Sequence, residues 1–239
     1  MSLSNHFYRE LRELLVRKCV SREDLEVSTE KFKELVRSLL RAGLAVDKGE
    51  VVCVEDPARS LLQLVLFGKF KLDLEPLVEL VSWREFEDLV CDLLRSYNHI
   101  VVKRVRLPVK MQQGVERVEF DIVSIDKAHV IDNCYNILLI EVKHYRHSKL
   151  NVSEVCLRHL AKIKLVVNNK SSLYELMRRL PLALSKTFRL RIVPVIITLR
   201  EYVPSIIEGV PIVPVWKLRD FLENYYLNLD IITSFVIEF

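Results

Sequence analysis

Asn136-Ile137-Leu138-Leu139-Ile140-Glu141-Val142-Lys143 is the stretch that decides the fold. A short apolar run of this kind reads as a strand buried on both faces. Side chains alternate along a strand, so Glu141 and Lys143 project one way and Ile140 and Val142 the other. Upstream, Val118, Phe120 and Ile122 alternate with Glu119 and Asp121, a period-two strand. A hairpin with an eleven-residue loop over 126–136 sets Asp121 beside Glu141. Before both strands, Trp83-Arg84-Glu85-Phe86-Glu87 opens a helix that Ser82 can cap, with Phe86, Leu89, Val90, Leu93 and Leu94 on its inner side. Glu87 rides on that helix.

Two carboxylates with an ammonium beside them suit phosphodiester hydrolysis. Hard oxygen ligands favour Mg²⁺ (or Mn²⁺), which acidifies a bound water and neutralises charge on a phosphate. Lys143 then positions the nucleophile or stabilises the transition state as a point charge. Phe86-Glu87, Glu119-Phe120-Asp121-Ile122-Val123 and Glu141-Val142-Lys143 together resemble the PD-(D/E)XK nuclease superfamily. The likeness is to Mrr-type restriction endonucleases and archaeal Holliday-junction resolvases, over roughly residues 82–225. It implies metal ligation by Asp121, Glu141 and Glu87, and a catalytic role for those three with Lys143. Phe120 stands where the family name has Pro. In the helix after the third strand, Arg158, His159 and Lys162 fall where a Gln is common.

Working outward, residues 99–107 form a further strand, and 152–167 and 171–188 form helices, the second interrupted near Pro181. Residues 191–199 and 210–215 are strands, and 216–226 a helix. The order α-β-β-β-α-(α)-β-β-α defines an α/β fold: a restriction-endonuclease-like mixed sheet flanked by helices, over 81–239. A helical connector spans 56–80. Residues 1–55 read as three helices followed by a hairpin around Asp47-Lys48-Gly49, the order of a small winged-helix-like domain. Ser21 and Ser28 or Thr29 are the expected caps, and Gly43 the helix stop.

Charge separates along the chain. Residues 140–200 carry thirteen Lys and Arg against three acids, while the remainder is net −6. A basic segment straight after the catalytic strand favours a polyphosphate partner. DNA is therefore the expected partner, with Arg158, Lys162, Lys164 and His144 contacting it. Residues 1–55 balance ten basic and ten acidic residues, which argues less for DNA contact there. The resemblance and the need to cut two strands imply a homodimer. Glu119 is either a second metal ligand or a solvated acid, and Trp83 and Trp216 read as core anchors.

The first ten residues lack an apolar signal core, and runs such as 193–199 are too short to span a bilayer. A cytoplasmic protein without membrane attachment is expected. The five cysteines have no CxxC spacing and read as reduced, buried hydrophobes. Two other functions fit the same residues. One is a catalytically silent nucleic-acid-binding or assembly protein that retains the nuclease fold; the other is an RNA-directed nuclease.

Overall fold

The computed structural model describes residues 5–66, 82–112, 114–131, 133–144, 151–181, 188–199 and 201–239. The end of the connector and the stretch directly after Pro181 lie outside the described residues. The chain divides into two compact units, Met1–Glu85 and Phe86–Phe239. Among the described residues no helix is long and apolar enough to cross a membrane.

The first unit contains α1 (Asn5–Arg17), β1 (Cys19–Ser21), α2 (Arg22–Val27), α3 (Glu30–Arg41), β2 (Val46–Asp47), β3 (Val51–Cys53) and α4 (Pro57–Leu66). Amphipathic spacing dictates its core: Phe7, Leu11 and Leu14 of α1 meet Phe32, Leu35, Val36 and Leu39 of α3. Leu61 and Leu64 of α4 are buried too, so the first half of the connector packs on α1 and α3. Ser21 accepts from Asp24 N–H, and Thr29, rather than Ser28, accepts from Phe32 N–H. Gly43 ends α3 at φ 70°, with Leu44 N–H reaching back to the Leu39 carbonyl at 2.9 Å, a Schellman closure. The hairpin β2–β3 gains a strand the sequence reading lacks, since β1 pairs antiparallel with β3. That register sets Cys19 opposite Cys53, and the two form a disulfide. The expectation of five reduced cysteines is corrected for this pair, because strand pairing brings together residues far apart in sequence. Cys91, Cys134 and Cys156 are buried and free.

The second unit is mixed α/β, a large mixed sheet flanked by helices. Its elements are α5 (Trp83–Ser96, which begins just before the boundary), β4 (His99–Met111), β5 (Gly114–Ile131), β6 (Cys134–Lys143), α6 (Val152–Val167), α7 (Lys170–Arg179), β7 (Arg189–Thr198), β8 (Ile206–Ile207), β9 (Val210–Pro214), α8 (Leu218–Asn224) and β10 (Phe235–Glu238). The sheet order is β4-β5-β6-β7-β9-β8. β4, β5 and β6 run antiparallel, whereas β6, β7 and β9 run parallel. The parallel step from β6 to β7 needs a crossover, which α6 and α7 provide. They cover one face, where Phe120, Leu139, Ile163, Val166, Leu173, Leu176 and Ile192 form the core. Each such side chain contributes roughly 2 kcal/mol by leaving water.

The second unit departs from the sequence reading in several places. β10 pairs with the first half of β7, and β8 pairs with β9; both strands are too short for a periodic signal. α7 ends at Arg179, where the reading placed an interruption near Pro181. Most of the expected loop over 126–136 is strand, with an irregular register between Asp126 and Ile131. There Asp126 is fully buried and accepts from Ala128 and His129 N–H, from His129 Nδ1 at 2.7 Å and from Tyr225 Oη at 2.7 Å. Trp83 and Trp216, expected as anchors, are 41% and 37% exposed.

Candidate active site

Backbone pairing between β5 and β6 reaches Ile122 opposite Ile140 and goes no further. One step beyond lie Asp121 and Glu141. The Val142 N–H donates to Asp121 Oδ2 at 2.7 Å. An Asp side chain thus takes up a β6 amide just past the last paired residues. On the other side of β5 the pairs Lys103 with Ile122 and Val105 with Phe120 are regular. Arg104, between them and facing Asp121, adopts φ 52°, a left-handed backbone that a non-glycine residue takes at a cost. Its guanidinium donates to Glu87 Oε2 at 3.0 Å. Glu87 is fully buried on α5, and its Oε1 has no hydrogen-bond partner.

The two central acids are driven apart in protonation. Burial, with Glu141 second, raises Asp121 to about 6, and the Glu87 charge adds to it; the Val142 amide and Lys143 only partly offset this. Burial pushes Glu141 up as well, but Lys143 and then Lys162 outweigh it and hold that carboxyl low. Lys143 Nζ donates to Glu141 Oε1 at 2.6 Å and Lys162 Nζ to Oε2 at 3.1 Å. One carboxyl poised near neutrality beside one firmly ionised is an arrangement that suits acid–base or metal chemistry.

α6 supplies the far wall. Asn151 caps it through Glu154 N–H, and Val155, Arg158, His159 and Lys162 then share one stripe at helical spacing. With Glu141 and Lys143 they line a cleft of about 130 Å³. Arg158 is largely exposed and pairs with Glu154 at 3.2 Å. His159 is 1% exposed, and its Nε2 bonds to the Leu139 carbonyl at 2.9 Å. Since a carbonyl only accepts, Nε2 carries the proton. Burial lowers this imidazole to about 4, so the ring is neutral. Its Nδ1 lies 3.7 Å from Glu141 Oε2 and has no hydrogen-bond partner.

Asp121, Glu141, Lys143 and Lys162 are therefore brought together, with Glu87 close enough to bear on Asp121. Arg158 lines the cleft. His144 follows Lys143, its ring against Phe86 at 6.0 Å and its buried Nε2 without a hydrogen-bond partner. Lys164 is exposed and is not among the cleft-lining residues. Glu119 pairs with Arg106 at 2.6 Å. Sequence reading missed the pairing of Arg104 with Glu87, which no local pattern announces. It noted His159 only as a replacement for Gln, although the spacing 155, 158, 159, 162 already aligned it with the cleft.

The donor set suits a divalent cation: two adjacent carboxylates and two buried acceptors without partners, Glu87 Oε1 and His159 Nδ1. Among the described residues no three His, Cys, Asp or Glu side chains already converge as an ion cage. Lys143 and Lys162 occupy the oxygens of Glu141 instead.

No protein-family model matches the sequence, and no curated protein matches it. Among solved structures, protein VC1899 from Vibrio cholerae is matched at 11% identity and a TM-score of 0.36, over 94% of this chain and 51% of that one. The chain thus spans about half the length of that structure, and so slight a likeness carries no argument about fold family or activity.

Proposed function

We propose that residues 81–239 form a metal-dependent DNA endonuclease of the PD-(D/E)XK type, with Asp121, Glu141 and Glu87 as metal ligands and Lys143 as the catalytic lysine. The observation that carries this reading is the meeting of Asp121 and Glu141 just past the last paired residues of β5 and β6, with Lys143 on Glu141. A bound Mg²⁺ or Mn²⁺ would supply Lewis acidity and a water of lowered pKa. Asp121 and Glu141 would hold that ion from neighbouring strands, with Glu87 reaching in from α5. Lys143 would set its ammonium beside the scissile phosphate and stabilise charge in the transition state. Arg158 and Lys162 on α6 would hold the phosphate backbone. In this reading the sheet is restriction-endonuclease-like, the first unit a winged-helix-like module and the working form a cytoplasmic homodimer. Three helices with a β hairpin support the module, and the need to cut two strands supports the dimer.

The test is cleavage of plasmid, branched and single-stranded DNA, and of RNA, with Mg²⁺ or Mn²⁺. Metal-dependent cutting of DNA that Asp121→Ala and Lys143→Ala both abolish supports the proposal. Inactivity on every substrate, or variants that cut like wild type, overturns it; cutting of RNA alone makes it an RNA-directed nuclease. One observation favours a second reading, a catalytically silent nucleic-acid-binding or assembly protein: Lys143 and Lys162 already neutralise Glu141. Salt-dependent DNA binding without metal uptake at the carboxylates would support that reading.

A further inference from the structure

We propose that His159 is a nitrogen ligand of the metal in this site, through Nδ1, and that the site therefore takes a divalent first-row transition ion such as Mn²⁺ in preference to Mg²⁺. The inference rests on the metal-dependent reading above and deepens it by naming the ion class.

His159 Nε2 donates to the Leu139 carbonyl at 2.9 Å, so the lone pair is on Nδ1. That atom is buried, in a residue 1% exposed, and has no hydrogen-bond partner. Buried polar atoms rarely stay unpaired, and one that does needs a reason. Nδ1 faces Glu141 Oε2 at 3.7 Å. Both are acceptors, so neither satisfies the other, and the separation is too long for a hydrogen bond. Two ligands each about 2.1 Å from one ion stand at most roughly 4.2 Å apart, so the observed gap admits a shared cation. The other ring nitrogen anchored on a backbone carbonyl is the support that metal-binding histidines ordinarily have.

The chemistry of the donor sets the ion. Mg²⁺ is held mainly by oxygen, whereas imidazole nitrogen favours transition ions. Lys162, at 3.1 Å from Glu141 Oε2, has a side chain 37% exposed. An ion on Oε2 would replace its ammonium, leaving Lys162 to turn toward a phosphate. Lys143 would keep its place on Oε1.

The experiment uses the full chain and Mn²⁺ alone, read by electron spin-echo envelope modulation with no nucleic acid present. The expected result is ¹⁴N modulation in the wild type that is lost in His159→Gln and kept in His144→Gln, whose half-buried ring also lies beside the strand end. In competition titrations Mn²⁺ should outcompete Mg²⁺ by at least about tenfold, a margin that shrinks in His159→Gln. If His159→Gln misfolds by circular dichroism, ¹⁵N-histidine labelling of wild type and His144→Gln reads the same coupling. Mn²⁺ bound through Asp121 without ¹⁴N modulation, or with modulation that survives His159→Gln, overturns this inference and leaves the metal site standing. No Mn²⁺ uptake, or uptake indifferent to Asp121→Ala, overturns both.

Discussion

Asp121 Oδ2 accepts a 2.7 Å hydrogen bond from the backbone N–H of Val142, the residue between Glu141 and Lys143. The bond ties the carboxylate of one strand to the motif of the next. It also keeps an acid half-buried beside a second acid, at a cost the fold must offset elsewhere.

That cost gives the first prediction. An aspartate in the unfolded chain titrates near about 3.9, whereas burial and Glu141 raise Asp121 to about 6. The folded state holds the proton more tightly, so this residue's contribution is full below the unfolded value and is lost as pH rises through 6. Asp121→Asn keeps an acceptor for Val142 and should stabilise the protein at pH 7.5 by on the order of 2 kcal/mol. The gain should vanish below pH ~4. Urea unfolding at the two pH values checks it; an Asn variant less stable at pH 7.5 would contradict the assigned burial.

Lys143 is one of two ammonium groups on Glu141, and Lys162 still pairs with that carboxylate when Lys143 is removed. Lys143→Ala should therefore fold normally while cutting DNA on the order of 100-fold more slowly. Circular dichroism and a single-turnover cleavage assay separate these effects, and a chelator should abolish the wild-type reaction.

Arg158 and Lys162 line the cleft and Lys164 does not. Replacing Arg158 or Lys162 with Ala should reduce the slope of log affinity against log salt by about 0.9 each, because one fewer phosphate is neutralised. Lys164→Ala should leave the slope unchanged. Fluorescence anisotropy across a salt series reads all three, and equal effects would place the nucleic acid elsewhere.

Tyr225 donates to the fully buried Asp126, whose carboxyl burial alone would push up; Tyr225 and His129 bring it below its ordinary value. Tyr225→Phe should cost about 1–3 kcal/mol at neutral pH. A depressed carboxyl stabilises above its unfolded value and loses that stabilisation as pH falls through the lowered one. The difference between variant and wild type should therefore shrink in acid. Thermal melts at pH 7 and pH 3 test this, and a pH-independent difference would show that the variant loses packing rather than the bond.

Much of this was legible in the chain itself. Period-two alternation through Val118, Phe120 and Ile122 and the apolar run before Glu141 define two strands, because side-chain direction there depends only on neighbouring residues. Amphipathic spacing located α3 and α5 for the same reason, and the caps at Ser21 and Thr29 are local chemistry. The pairing of Asp121, Glu141 and Lys143 followed from strand direction. Tertiary structure alone decided the rest. Cys19 meets Cys53, 34 positions later, because β1 adds to the edge of a hairpin beyond two helices. Asp126 became a buried anchor because Tyr225, 99 residues later, returns to it. His159 is shut off from solvent, with Nδ1 unpartnered, because α6 lies across Leu139 and Glu141. Local pattern reports which way a side chain points; which atoms it meets, and whether water reaches them, is set by chain closure over distances no window of sequence contains.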